Sequence, residues 1–273
     1  MLRFALLLLV IFSFAVLASP AAVAPTNGIQ TYYEESGQGE PVVFIHGFSL
    51  DHRIWQDQME FAKNCRVVVY DVRGHGRSPA DPPWTSADQV TDLLALLDHL
   101  KIQRANLVGL SMGGGIAVNF ALAHPERVKS LVLAAPGIEG YMFAPEFIQR
   151  WFKLLEIYHT KGAQAFRDAA LAEWTFDGVR RYPEKFALVK TMLQDFPTKT
   201  LDNPYTPPTG LTPLARLSEI HAPTLIMVGE LDNSDIRAIA DLARERIPGA
   251  RKTVFRDCEI GRASCRERVY VLV

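Results

Sequence analysis

The sequence predicts an α/β fold: a mostly parallel sheet with helices on both faces and one helical insertion. Three observations predict it. Short β-branched apolar runs recur along the chain, amphipathic segments separate them, and the rhythm stops between Gly137 and about Thr212. Runs that are apolar throughout belong to strands buried on both faces, as in parallel sheets covered by helices. A chain of 273 residues, 48% of them hydrophobic, can bury one large core.

The expected strands are "VVFI" (42–45), "VVVY" (67–70), "NLVGL" (106–110), "LVLA" (131–134), "TLIMV" (224–228) and "KTVF" (252–255). Between the second and third, a helix is expected from Ser86, with Ser86 and Gln89 as its capping box. Val90, Leu93, Leu94, Leu97 and Leu100 then share one face. Another helix runs from about Met112 to Ala123, and Pro125 limits it. Residues 139–212 read as a helical lid, rich in aromatics: Tyr141, Phe143, Phe147, Trp151, Phe152, Tyr158, Phe166, Trp174 and Phe176. The core is thereby divided into residues 26–138 and 213–258.

Arg3, the apolar run Phe4–Leu17 and the small residues of "ASPAAVAPTNG" follow the order of a secretory signal peptide. Its expected extent is residues 1–18, with an end as late as 24, so the protein is expected to be exported to the periplasm or outside the cell. The alternative is an anchor through residues 4–18, a run shorter than the roughly 20 residues that span a bilayer. Lys and Arg number 29 against 30 Asp and Glu, spread along the chain, which leaves no basic stripe for nucleic acid. Cys65, Cys258 and Cys265 show neither metal-ligand spacing nor a disulfide framework. No metal or cofactor is expected.

The sharpest motif is Gly109-Leu110-Ser111-Met112-Gly113, a G-x-S-x-G that follows a strand and opens a helix. Such a turn strains the serine backbone and presents its hydroxyl at the carboxyl edge of the sheet. The flanking glycines let strand and helix meet closely, and the Met112 N–H points where an oxyanion would form.

With this motif, with His46-Gly47-Phe48 and with "DVRGHGRS" (71–78), the chain resembles the alpha/beta hydrolase family, in its lid-bearing serine esterase, lactonase and enol-lactone hydrolase branch. The resemblance runs from "TYYEESGQGEPVVFIHGF" to "KTVFRDC". It implies the alpha/beta hydrolase fold, a second oxyanion donor at the Phe48 N–H, and His46 and His75 as loop-shaping residues. A serine nucleophile favours acyl transfer from an ester, thioester or lactone carbonyl of a small apolar or amphipathic substrate. In chain order the acid comes next, and Asp232 in "MVGELDNSD" matches the family position. Glu230, Asp235 and Glu139 are its rivals.

A general base is then required, and His suits both proton transfers. The seven histidines are His46, His52, His75, His99, His124, His159 and His221, and none follows Asp232. His221 precedes its strand and so falls at the opposite edge. Where the family carries its histidine, this chain runs "EIGRASCRERV", which resembles the translation of a sequencing-adapter read. Residues 259–273 are therefore expected to be non-native, with the catalytic histidine missing and the 273-residue chain impaired. Three alternatives remain: C–C bond hydrolysis, perhydrolysis on the same scaffold, and a binding protein for a small apolar ligand.

Overall fold

A computed structural model describes residues 22–172, 177–203 and 212–258. The expected signal peptide over 1–18, Trp174, Phe176 and the 259–273 tail lie outside the described residues. The sheet has eight strands: β1 (Ala22–Pro25), β2 (Gln30–Ser36), β3 (Pro41–Ile45), β4 (Arg66–Tyr70), β5 (Ala105–Leu110), β6 (Val128–Ala134), β7 (Thr224–Gly229) and β8 (Arg251–Phe255). Their order is β1-β2-β4-β3-β5-β6-β7-β8. The pairs made by β2 with β1 and β4 are antiparallel, and the remaining pairs are parallel. All six expected runs are strands. β1 and β2 are additions, and Ala24 in β1 is wholly buried, so the fold includes residues that the latest cleavage position would remove.

Alternation along each strand sends successive side chains to opposite faces, and each face has its own core. On one face Val43, Ile45, Leu107, Leu131, Leu133 and Ile226 pack against α1 (Ser86–His99), α2 (Met112–Ala123) and α6 (Ser234–Arg246). On the other, Val42, Phe44, Val108, Leu110, Val132 and Met227 lie with Trp55 and with Phe166, Val189 and Phe196 of the insertion.

The helix expected from Ser86 is present, but its cap sits one residue earlier. Thr85 is the N-cap, and its capping box is closed by Asp88, whose Oδ2 accepts the Thr85 N–H at 2.8 Å. Asp serves as well as the Glu or Gln of the usual pattern because its shorter carboxylate still reaches the cap backbone. Gln89 is instead buried. Replacing Asp88 by alanine is expected to lower stability by about 1 kcal/mol in urea unfolding, the usual worth of a lost cap interaction.

The insertion between β6 and β7 contains α3 (Pro145–Ala172), broken by a non-helical Gly162, α4 (Asp177–Arg180) and α5 (Pro183–Asp195). Charged pairs tie it to the segment after β3: Lys185 with Asp57, and Arg53 with Asp195 at 2.9 Å. Cys65 is free, whereas Cys258 is disulfide-bonded, which corrects the expectation of no bridge. Among the described residues, no helix is long and apolar enough to cross a membrane.

Candidate active site

Ser111 stands between β5 and α2 with φ 50° and ψ −110°, a left-handed backbone that non-glycine residues avoid. Hydrogen bonds hold it there. Its N–H donates to the Ala134 carbonyl at 2.9 Å, and its own carbonyl accepts from Gly114 and from Gly137 at 2.9 and 3.0 Å. Strain persists only where the surroundings over-determine it, and such positions cluster at functional sites.

The two glycines of the turn are required by close approach. A Cβ on Gly109 would lie 2.3 Å from the Gly113 carbonyl oxygen, and one on Gly113 would lie 2.1 Å from that of Ile45. The start of α2 is thus pressed against the end of β3. Gly113→Ala is expected to cost about 1–3 kcal/mol as the backbone shifts to make room, measured by urea unfolding.

That approach carries the His46-Gly47-Phe48 loop to the serine, since a Cβ on Gly47 would be 3.5 Å from Ser111 Cβ. His46 is fully buried and fixes the loop with both ring nitrogens: Nε2 accepts the Val72 N–H at 3.0 Å, so Nδ1 carries the proton and donates to the Gly47 carbonyl at 2.8 Å. Burial pushes its pKa down, so it stays neutral. His75 is also buried, and its Nδ1 donates to the Arg73 carbonyl at 3.0 Å. Burial, with His46 beside it, lowers its pKa to about 3. Its ring lies 5.5 Å from Phe48 and 5.4 Å from Phe196.

Met112 opens α2, where first-turn N–H groups have no intrahelical partner. Its N–H and that of Phe48 come from the two segments that meet at Ser111.

Asp232 follows β7 at the same edge of the sheet, and β6 separates β7 from β5. Its side chain is buried, with Oδ2 accepting the Gly229 N–H at 2.7 Å. The rivals are placed differently. Glu230 is exposed and Glu139 half-buried, 3.5 Å from Asn119 Nδ2. Asp235 is buried, but its two oxygens accept the Tyr141 O–H and the Ala144 N–H.

Sequence reasoning missed Asp71 as the hub of the "DVRGHGRS" loop. Its Oδ1 accepts from the His52 N–H and from His52 Nδ1, both at 2.7 Å, and its Oδ2 accepts the Arg77 N–H. Burial alone would raise its carboxyl, but the His52 hydrogen bond and nearby histidines hold it below the usual range. The signal was the glycine at 76, where a Cβ would meet Asp71 Oδ2 at 2.3 Å. Asp51, His52 and Asp71 are close enough together to surround a cation. Their ligand atoms are committed to one another, to Arg77 and to Arg53, so the cluster knits two loops together.

The chain matches the alpha/beta hydrolase fold family over residues 40–259 and belongs to it. Among solved structures it is similar to Est816, described as an N-acyl homoserine lactone degrading enzyme, at 33% identity over 88% of this chain and 93% of that one, with a TM-score of 0.74. The enol-lactonase from Burkholderia xenovorans LB400 shares 28% identity over 88% and 92% of the two chains, TM-score 0.74. The 2-hydroxymuconate semialdehyde hydrolase of Pseudomonas sp. (strain CF600) is 42% identical over 112 residues, 39% of this chain and 40% of its own.

Proposed function

We propose that this protein is an exported serine hydrolase that opens ester, thioester or lactone carbonyls through an acyl-enzyme. The observation that carries this reading is the strained Ser111 at the β5–α2 turn, on the same sheet edge as the buried Asp232. Ser111 Oγ attacks the carbonyl, and its proton passes through a base oriented by Asp232 to the leaving oxygen or sulfur as the acyl bond breaks. The Phe48 and Met112 N–H groups hold the oxyanion, and water then hydrolyses the acyl-enzyme. The lactone-acting neighbours support the substrate class, and the Phe4–Leu17 run supports export.

The seven histidines leave the base position unfilled. His46 has both nitrogens engaged, His75 is so weak a base that its ring takes up a second proton only near pH 3, and no histidine follows Asp232. The 273-residue chain is therefore a weak catalyst of its own reaction. Similarity to the semialdehyde hydrolase favours C–C bond hydrolysis as the second reading.

A panel of p-nitrophenyl acetate, a γ-lactone and a vinylogous diketone, run with wild type and Ser111→Ala, tests both. Slow ester and lactone turnover that depends on Ser111 is expected. Turnover confined to the diketone would establish the second reading, and hydrolysis unchanged in Ser111→Ala would overturn both.

A further inference from the structure

The Asp235 carboxylate is buried and turned away from solvent, although it lies in the first turn of α6, where an acidic side chain normally faces water. Both of its oxygens reach across to the root of the insertion. Oδ1 accepts the Tyr141 O–H at 3.2 Å and Oδ2 accepts the Ala144 N–H at 3.1 Å. Ala144 immediately precedes α3, and its carbonyl accepts the Phe147 and Ile148 N–H groups of the first turn.

In a capping box the third helical residue would supply a Glu or Gln side chain to the N–H of the capping residue. In α3 that residue is Phe147, which cannot. Asp235 provides the missing acceptor for α3 from a different helix, while Asn233 caps the start of α6.

The two ends of this link lead to the candidate site. Toward the insertion, α3 carries Trp151, whose ring meets the Phe48 ring edge-on at 5.3 Å. The same root begins at Gly137, whose N–H donates to the Ser111 carbonyl. Toward the core, Asn233 Oδ1 accepts the Asp235 N–H at 2.6 Å, and Asp232 is the next residue upstream.

We propose that Asp235 is a positioning residue, which sets the start of α3, and with it the Trp151 wall over Phe48, in register with the turn that bears Asp232. Its meaning for catalysis rests on the reading of Phe48 and Asp232 given above. The link itself can be measured without turnover, so the two can fail separately.

Hydrogen exchange by mass spectrometry on the full 273-residue chain tests it with Asp235→Ala, Asp235→Leu and Asp235→Asn. Asparagine keeps an acceptor for the Ala144 N–H and turns its amide N–H toward the Tyr141 oxygen, so it should rescue. Alanine and leucine are expected to raise exchange at least tenfold over residues 141–151 and also over 229–234, with Asp235→Asn close to wild type. An effect confined to residues 234–238 would make Asp235 a local feature of α6 and overturn the proposal. So would equal exchange in the Asn and Ala variants. If Asp235→Ala fails to fold, Tyr141→Phe removes one of the two links alone. It should raise exchange over 141–151 by a smaller factor, and unchanged exchange there would count against the proposal.

Discussion

Lowering the pH from 6.5 to 5 is expected to cost this protein about 1.6 kcal/mol of folding stability through His75 alone, with His46 adding to the loss, before its carboxylates begin to titrate. His46 and His75 are both fully buried and neutral, and burial depresses both pKa values, that of His75 to about 3. In the unfolded chain each takes up a proton near pH 6.5. Below that pH the unfolded state therefore binds more protons than the folded one, and stability falls as pH falls. Each such group contributes about 1.4 kcal/mol per pH unit, and the loss from His75 continues until its folded pKa is reached. Urea unfolding at pH 7.5, 6.5, 5.75 and 5 reads the slope directly. His75→Phe, which places a third ring beside Phe48 and Phe196, should remove the His75 share of that slope. A slope that is flat in wild type, or unchanged in the variant, would show that these rings are protonated in the folded state.

The same two histidines show where sequence reading succeeds and where it stops. The parallel strands could be read because β3 to β7 contain short apolar runs buried between two layers, while β8, at the sheet edge, buries only Phe255 of its five residues. β2 could not, because "QTYYEES" lies near the sheet's antiparallel edge, mixes buried with half-buried residues and so carries no continuous apolar signal. The serine turn was legible because its glycines are demanded by backbone contact, which leaves a fixed local spacing. The roles of Asp71 and Asp235 were not. Each is defined by partners brought in by the fold, His52 and Arg77 for the one, Tyr141 and Ala144 for the other. Asp235 and Asp232 stand three residues apart with the same chemistry. Only the insertion packed against α6 separates their uses.

Added imidazole is expected to raise the Ser111-dependent turnover of p-nitrophenyl acetate by the 273-residue chain at least tenfold. Ser111→Ala should show only the background reaction of imidazole itself. The strands that present Ser111 and Asp232 are two inter-strand spacings apart, about 10 Å, a gap that a base would have to bridge. None of the seven histidines is suited to fill it. His46 is locked into the loop beside Ser111, His52 is bonded to Asp71, and His75 is anchored to the Arg73 carbonyl with its ring against Phe48. His99, His124 and His159 belong to helices or their ends, and His221 precedes β7 at the opposite edge. A positioned base contributes about 10²- to 10⁴-fold, so a diffusing one can recover only part of that. Asp232→Ala should weaken the rescue if this carboxylate orients the ring, whereas Glu230→Ala should leave it unchanged. If the chain instead runs at a rate that imidazole does not improve and Ser111→Ala abolishes, a base is already in place. His75→Phe would then be the first variant to make, because its Nε2 is buried and makes no hydrogen bond.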